Sequence, residues 1–195
     1  FNEVSGNLTN SGSLVLAVAK NDSGFWALTG NNTFTGGVTV SGGVLGVGSN
    51  TALGTGTITG GNAAIQAING DRTVTNNLTI SNATLNFTGL NSFTTSGTVQ
   101  NTGGNSVLTN YLPAGKSVTL NGTINLQDST NARTFNFTGT GTTNVNGLIQ
   151  NGGTAAGSIT INMGASVQSG PGTFNWGGAA ANTYTGSTNL AAGII

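Results

Sequence analysis

The stretch that decides the fold is Asn32-Thr33-Phe34-Thr35-Gly36, because it returns as Asn182-Thr183-Tyr184-Thr185-Gly186, 150 positions later. The two tryptophans, Trp26 and Trp176, stand at the same separation, so the recurrence extends upstream of the pentapeptide. A supersecondary unit that recurs along a chain is typical of stacked repeat architectures. The recurrence therefore predicts a molecule built of stacked coils rather than a globular enzyme.

Short runs of β-branched and apolar residues follow one another along the chain with a period of two, separated by Gly, Asn and Ser. This period places alternate side chains on opposite faces of a strand, and the separating residues favour turns. No segment has a sustained helical period. The predicted strands are Leu14-Val15-Leu16, Val38-Thr39-Val40, Thr57-Ile58-Thr59, Thr73-Val74-Thr75, Leu78-Thr79-Ile80, Leu85-Asn86-Phe87, Ser117-Val118-Thr119-Leu120, Thr123-Ile124-Asn125-Leu126, Phe135-Asn136-Phe137, Ile159-Thr160-Ile161 and Thr173-Phe174-Asn175-Trp176.

These strands are short for a β-sandwich but suit a β-solenoid, which uses several short strands in each coil. Triplets such as Leu85-Asn86-Phe87 place two inward residues around one outward polar residue, which fits stacking on equivalent triplets above and below. We expect a single all-β solenoid spanning residues 1–195, with roughly 20 residues per coil and about eight to ten irregular coils.

Residues 28–45 resemble the autotransporter-associated β-strand repeat, also called the passenger-associated transport repeat, since Gly, Thr and aromatic residues occupy the expected places in order. Residues 48–59 are similar to the continuation of that repeat, and residues 182–195 to its first half. Repeat-like elements therefore lie at 28–59 and 182–195, with no recognisable copy between about Gly61 and Gly172. The resemblance implies a right-handed parallel β-helix in an exported, surface-exposed bacterial protein, and it carries over no catalytic residue.

Composition excludes several classes of function. Only 4% of residues are charged, and the four acids and four bases are scattered singly and cancel, so nothing indicates binding to nucleic acid. Histidine and cysteine are absent, which excludes imidazole catalysis and thiolate metal sites. The longest apolar run, residues 14–19, is far shorter than the roughly 20 residues of a membrane span. We expect no catalytic residue, no cofactor, no metal and no membrane insertion by this segment.

Two other functions stay open at this stage. A glycosidase or lyase needs carboxylates in pairs or threes on one face, and here such activity would depend on Asp71 or Asp128. A polysaccharide- or ice-binding module would use a solenoid face rich in Thr and Asn, and surface glycans would then be its partners. Thr-x-Thr patterns are unevenly spaced, which favours Thr as an ordinary outward strand residue.

Two sets of residues are candidates for a structural site. Aromatic residues in and near the two copies are expected to lie in the repeat core or to cap coils: Trp26, Phe34, Trp176 and Tyr184. Apolar residues near the two ends are expected to form an assembly edge, since unpaired strand edges invite pairing with another chain: Phe1, Val4, Leu190, Ile194 and Ile195.

The sequence thus predicts a non-enzymatic structural protein of the bacterial cell surface or extracellular space. It would serve as a β-helical stalk, an adhesin segment or a filament subunit, with no signal peptide in this chain. Its expected partners are other copies of itself, stacked head to tail, or adjoining repeats of the same chain.

Overall fold

The fold is described here from a computed structural model, which covers residues 2–164, 171–178 and 180–194. Its regular elements are strands, and the described residues contain no helix that could span a bilayer. In chain order the strands are β1 (Asn2–Val4), β2 (Val18–Lys20), β3 (Phe25–Leu28), β4 (Val38–Val40), β5 (Val44–Val47), β6 (Ile58–Gly60), β7 (Ala63–Ala67), β8 (Arg72–Val74), β9 (Leu78–Ser81), β10 (Thr84–Thr88), β11 (Phe93–Thr95), β12 (Val99–Thr102), β13 (Ser106–Asn110), β14 (Ser117–Leu120), β15 (Ile124–Asn125), β16 (Arg133–Gly139), β17 (Thr142–Val145), β18 (Ile149–Gln150), β19 (Gly157–Asn162), β20 (Thr173–Trp176) and β21 (Thr188–Ala192).

The strands form three parallel sheets, of which the first extends from β1 to β21. The first sheet has nine described strands, in the order β1-β3-β5-β7-β10-β13-β16-β19-β21. The second has five, β20-β17-β14-β11-β8, and the third has seven, β18-β15-β12-β9-β6-β4-β2. Strands that are neighbours in a sheet come from successive coils of the chain. The predicted β-solenoid is therefore confirmed, with about seven turns in the described residues.

Coil length varies more than the sequence suggests. The step from Phe25 to its partner Val44 in the next coil is 19 residues, whereas the step from Ser106 to Phe135 is 29. From β7 to β18 each coil contributes one strand to each sheet, while the earlier coils contribute strands only to the first and third. The longer coils use more residues per turn than the roughly 20 expected.

The core is a column of apolar side chains enclosed by the three sheets. Residues in register on neighbouring parallel strands face the same way, and Leu45, Ile65 and Phe87 follow one another in this manner with almost no exposure. Farther along, the ring of Phe137 lies 4.9 Å from that of Phe135 and 5.1 Å from that of Phe174, centroid to centroid. Burial of these side chains, at about 1.5–3 kcal/mol each, is the main force that stacks the coils.

One predicted strand is wrong, because residues 14–16 belong to a loop. Leu14 is 72% exposed, and its backbone pairs with Ser11 in a tight hairpin. The backbone N–H of Leu16 donates to the side chain of Asn10 at 3.1 Å instead of to a neighbouring strand. The turn geometry has overridden the β propensity of this apolar run.

Candidate functional site

The N-terminal end of the solenoid opens into a cavity of about 400 Å³. Trp26 lies in register with the buried Leu45, so its side chain faces the core. It remains 40% exposed because β1 presents only Asn2 at that position. Apolar side chains of the first and third sheets complete the lining: Val4, Val18, Leu28 and Leu45.

A charged pair also lies at this end, on the edge strand of the third sheet. Lys20 is 4% exposed, and its Nζ donates to Asp22 Oδ1 at 2.9 Å and to the backbone oxygen of Gly42 at 3.1 Å. The hydrogen bond from Lys20, aided by its charge, lowers the pKa of Asp22. An edge strand that carries a charged pair is a poorer template for unspecific pairing than an apolar one.

The C-terminal end exposes the other end of the core column. Leu190 in β21 stacks in register on the buried Ile161 and is 58% exposed. Ile194 continues the second sheet beyond β20, since its backbone oxygen accepts the N–H of Phe174 at 2.8 Å. Two residues predicted to belong to the assembly edge, Phe1 and Ile195, lie outside the described residues.

The predicted repeat-core aromatics occupy different environments. Phe34 is fully buried, whereas Trp176 and Tyr184 are half-buried and stack on each other with ring centroids 6.3 Å apart. Trp26 lies on β3 of the first sheet and Trp176 on β20 of the second, so the two tryptophans are not equivalent. The two tryptophans have the same separation in sequence as the two pentapeptides. This does not make their positions in the fold equivalent, because coil length varies along the chain.

The acids that could support catalysis are engaged by basic residues. Asp71 Oδ1 accepts Lys116 Nζ at 2.9 Å and the backbone N–H of Ser92 at 2.8 Å, and these contacts lower the pKa of Asp71. Asp128 forms an ion pair with Arg133. Among the described residues no group of three His, Cys, Asp or Glu side chains could hold a metal ion. The site offers polar contacts between coils rather than an acid–base pair.

From β4 onward, the outer face of the third sheet carries a rank of polar residues in register. Thr39, Thr59 and Thr79 stand in register on β4, β6 and β9. The next three coils continue this rank with amides that bond to one another, each at 2.8 Å, in the order Gln100, Asn125 and Gln150. The rank therefore consists of three threonines followed by three hydrogen-bonded amides.

Comparison with known families bears on the two ends of the chain. Residues 18–47 match the passenger-associated-transport-repeat family, and so do residues 167–195. Two segments of the chain are therefore similar to this repeat. The first match begins before the repeat-like element expected at 28–59 and ends before its continuation, and the second includes 167–170, 179 and 195, outside the described residues. Comparison with curated proteins and with solved structures gives no match.

The two repeats lie on different sides of the solenoid. The pentapeptide of the first repeat precedes β4 in the third sheet, whereas that of the second repeat precedes β21 in the first sheet. Both pentapeptides rest on asparagines of the preceding coil, Asn10 and Asn151, which sequence reasoning did not single out. An apolar-x-Asn pattern marks both positions, but in a chain this rich in Asn the pattern is too short to be recognised.

Proposed function

We propose that this chain is a non-enzymatic, rod-forming segment of a secreted or cell-surface protein, whose two ends accept further coils. The observation that carries the proposal is the pair of exposed core ends, Trp26 at one and Leu190 at the other. The passenger-associated-transport-repeats support a location outside the cell. The partner at each end is a further coil, from the same polypeptide or from a second copy.

The proposal rests on the energetics of stacking. A coil laid on β21 would bury Leu190 and Ile194, and a coil laid over the N-terminal cavity would bury Trp26. Each large apolar side chain taken out of water contributes about 1.5–3 kcal/mol. The parallel strand edges would gain hydrogen-bond partners at the same time. Adding coils at the ends would produce a rod, since the nine strands of the first sheet, spaced about 4.8 Å apart, already span about 40 Å.

Sugar or ice binding by the Thr- and Asn-rich face is the alternative function. The in-register rank of Thr39, Thr59 and Thr79 is its supporting feature. Beyond Thr79 the amides of the rank bond to one another, so fewer of their polar atoms face a ligand. This favours the structural role.

End-to-end stacking is tested by measuring particle size against protein concentration. The 195-residue protein is expected to associate into longer rods, as seen by light scattering after size-exclusion chromatography and by electron microscopy. Leu190→Lys should reduce association at least tenfold, since it places a charge where an apolar contact forms. Leu90→Lys is the control, because Leu90 is 75% exposed but lies in the turn between β10 and β11.

Two results would overturn stacking between copies. One is a monomer at every concentration that can be reached. The other is an equal effect of Leu90→Lys and Leu190→Lys, which would assign the association to general surface charge.

A further inference from the structure

The pentapeptide of the first repeat holds the base of a loop on the preceding coil through Asn10. Asn10 Oδ1 accepts the backbone N–H of Leu16 at 3.1 Å and that of Thr35 at 3.2 Å. Asn10 Nδ2 donates to Thr35 Oγ1 at 2.9 Å. One side chain therefore joins both ends of the loop at residues 11–15 to the coil that follows.

Three further hydrogen bonds complete this corner, two on the N-terminal side of Asn10 and one beyond the loop. Asn32 Oδ1 accepts the backbone N–H of Leu8 at 2.7 Å, and the backbone oxygen of Leu8 accepts the N–H of Thr33 at 2.9 Å. On the far side of the loop, the N–H of Gly36 donates to the backbone oxygen of Leu16 at 2.9 Å. A Cβ on Gly36 would lie 2.5 Å from that oxygen, so only glycine fits.

The second repeat makes the same contacts around Asn151. Asn151 Oδ1 accepts the N–H of Gly157 at 2.9 Å and that of Thr185 at 3.0 Å, and its Nδ2 donates to Thr185 Oγ1 at 3.0 Å. A loop of five residues, 152–156, separates Asn151 from Gly157, as 11–15 separates Asn10 from Leu16. The base of this loop is closed in the same way.

The flanking contacts of the second repeat also agree. Asn182 Oδ1 accepts the N–H of Ile149 at 2.8 Å, and the backbone oxygen of Ile149 accepts the N–H of Thr183 at 3.0 Å. The N–H of Gly186 donates to the backbone oxygen of Gly157 at 3.1 Å. All six hydrogen bonds of the first corner thus recur, although the two corners lie on different sides of the solenoid.

The two loops differ in their own backbone contacts. Within the first loop, Ser11 and Leu14 form two backbone hydrogen bonds with each other. The second loop instead bonds to the previous coil, because the N–H of Thr154 donates to the backbone oxygen of Ser129 at 3.2 Å. Their sequences are unrelated. Both loops have five residues, an asparagine at the base and the pentapeptide above it.

We propose that the pentapeptide is a docking element that recognises a loop-bearing corner of the preceding coil and fixes the base of that loop. The corner it fits has an apolar residue, an asparagine two positions later and a backbone N–H six positions after the asparagine. Recognition is independent of the sheet and of the loop sequence. The repeat thereby provides a rigid mount on which loops of different sequence project from the rod.

This inference rests on the proposed function as a stack of coils, but it concerns contacts within one chain. Amide exchange tests it without reference to association between copies. If the exchange test fails, the conclusion from particle size still stands. If the protein proves to be monomeric, the exchange test of the corner contacts is unaffected.

Hydrogen–deuterium exchange of the monomeric or associated 195-residue protein is the experiment. In Asn151→Ala we expect the amides of Gly157 and Thr185 to exchange at least tenfold faster, because each loses its acceptor. In Asn10→Ala the same should happen at Leu16 and Thr35. Each variant should leave the other corner unchanged.

Matched controls separate recognition from general loosening. Asn131→Ala removes an exposed asparagine outside both corners and should leave exchange at Gly157 and Thr185 as in the parent protein. Replacement of Thr154-Ala155 by Gly-Ser changes the sequence of the second loop at constant length and should also leave these amides protected. If Asn151→Ala does not fold, Thr185→Val removes a single hydroxyl contact and should speed exchange at Thr185 by a smaller factor.

The inference is overturned if Asn151→Ala and Thr185→Val leave exchange unchanged. It is equally overturned if Asn131→Ala raises exchange at Gly157 and Thr185 as much as Asn151→Ala does. Loss of protection after the Gly-Ser replacement would refute independence from the loop sequence.

Discussion

At the scale of single residues, the tightest constraint is a column of glycines at one corner of the solenoid. A Cβ built on Gly147 would lie 1.8 Å from the backbone oxygen of Gly122, and one on Gly122 would lie 2.0 Å from that of Gly97. Side chains never approach backbone oxygens so closely. Successive coils therefore meet at this corner backbone to backbone, and glycine is the residue that permits it.

Gly122→Ala is expected to lower the free energy of unfolding by about 1–3 kcal/mol, since the coils must separate locally to admit the methyl group. Chemical denaturation followed by circular dichroism measures the change. Gly6→Ala is the control, because nothing lies within 4 Å of a Cβ at that position. An equal effect of both substitutions would contradict a role for close approach at Gly122.

At the scale of elements, exposed turns are tied together by polar side chains that reach from coil to coil. Asp71, in the turn before β8, contacts Ser92 in the turn before β11 and Lys116 in the turn before β14. One carboxylate thus links three successive coils. The lowered pKa of Asp71 comes first from the Lys116 hydrogen bond and then from the Ser92 N–H.

This linkage predicts a pH dependence of stability. Because folding lowers the pKa of Asp71 below its ordinary value of 3.8, its contribution is complete well above that value. The contribution is lost as the pH falls through the lowered pKa. Asp71→Asn should therefore be less stable than the parent at pH 6, and the difference should shrink toward pH 2.

Urea denaturation at a series of pH values from 6 to 2 provides the measurement. Lys116→Ala removes the main cause of the shift and should reproduce most of the same dependence. A constant difference between Asp71→Asn and the parent protein across the series would refute the linkage.

At the scale of the whole molecule, stability is distributed along one dimension. Each coil contacts only its neighbours, so the stability of a solenoid is close to a sum of coil terms and interface terms. The aromatic cluster of Phe135, Phe137 and Phe174 joins the coils toward the C-terminal end. Damage to this cluster should therefore remain regional.

Phe137→Ala is expected to cost about 3–5 kcal/mol through the cavity it leaves, and to raise amide exchange in β16 and β19. Exchange in β3 and β5 should stay near that of the parent protein, because several coils lie between. Phe137→Leu is the control and should give a smaller effect in the same strands. A uniform rise across the three sheets would show that the molecule unfolds as one unit.

Much of the fold follows from the sequence because it depends on short-range preferences. The period of two in Phe135-Asn136-Phe137 is a property of any extended backbone, and it predicted β16 correctly. The same preferences failed at residues 14–16, where Asn10 draws the N–H of Leu16 out of the ladder. This hydrogen bond forms only when the corner is folded, so no local sequence pattern predicts it.

The features of the candidate site could likewise be predicted from the sequence only in part. The recurrence of the pentapeptide, the absence of His and Cys chemistry and the apolar character of Leu190 and Ile194 are all readable from the chain. The exposure of Trp26 and the buried Lys20 are not, because they depend on which strand lies above them.

The β-solenoid, and the similarity of two segments to the passenger-associated-transport-repeat, follow from the sequence alone. The folded molecule adds that the two pentapeptides lie on different sides of the solenoid and that each bonds to an asparagine of the preceding coil, Asn10 or Asn151. The physical reason is the range of the interactions. Strand periodicity is set within a few residues, whereas the coil step of 19 to 31 residues is set by contacts between residues one whole coil apart.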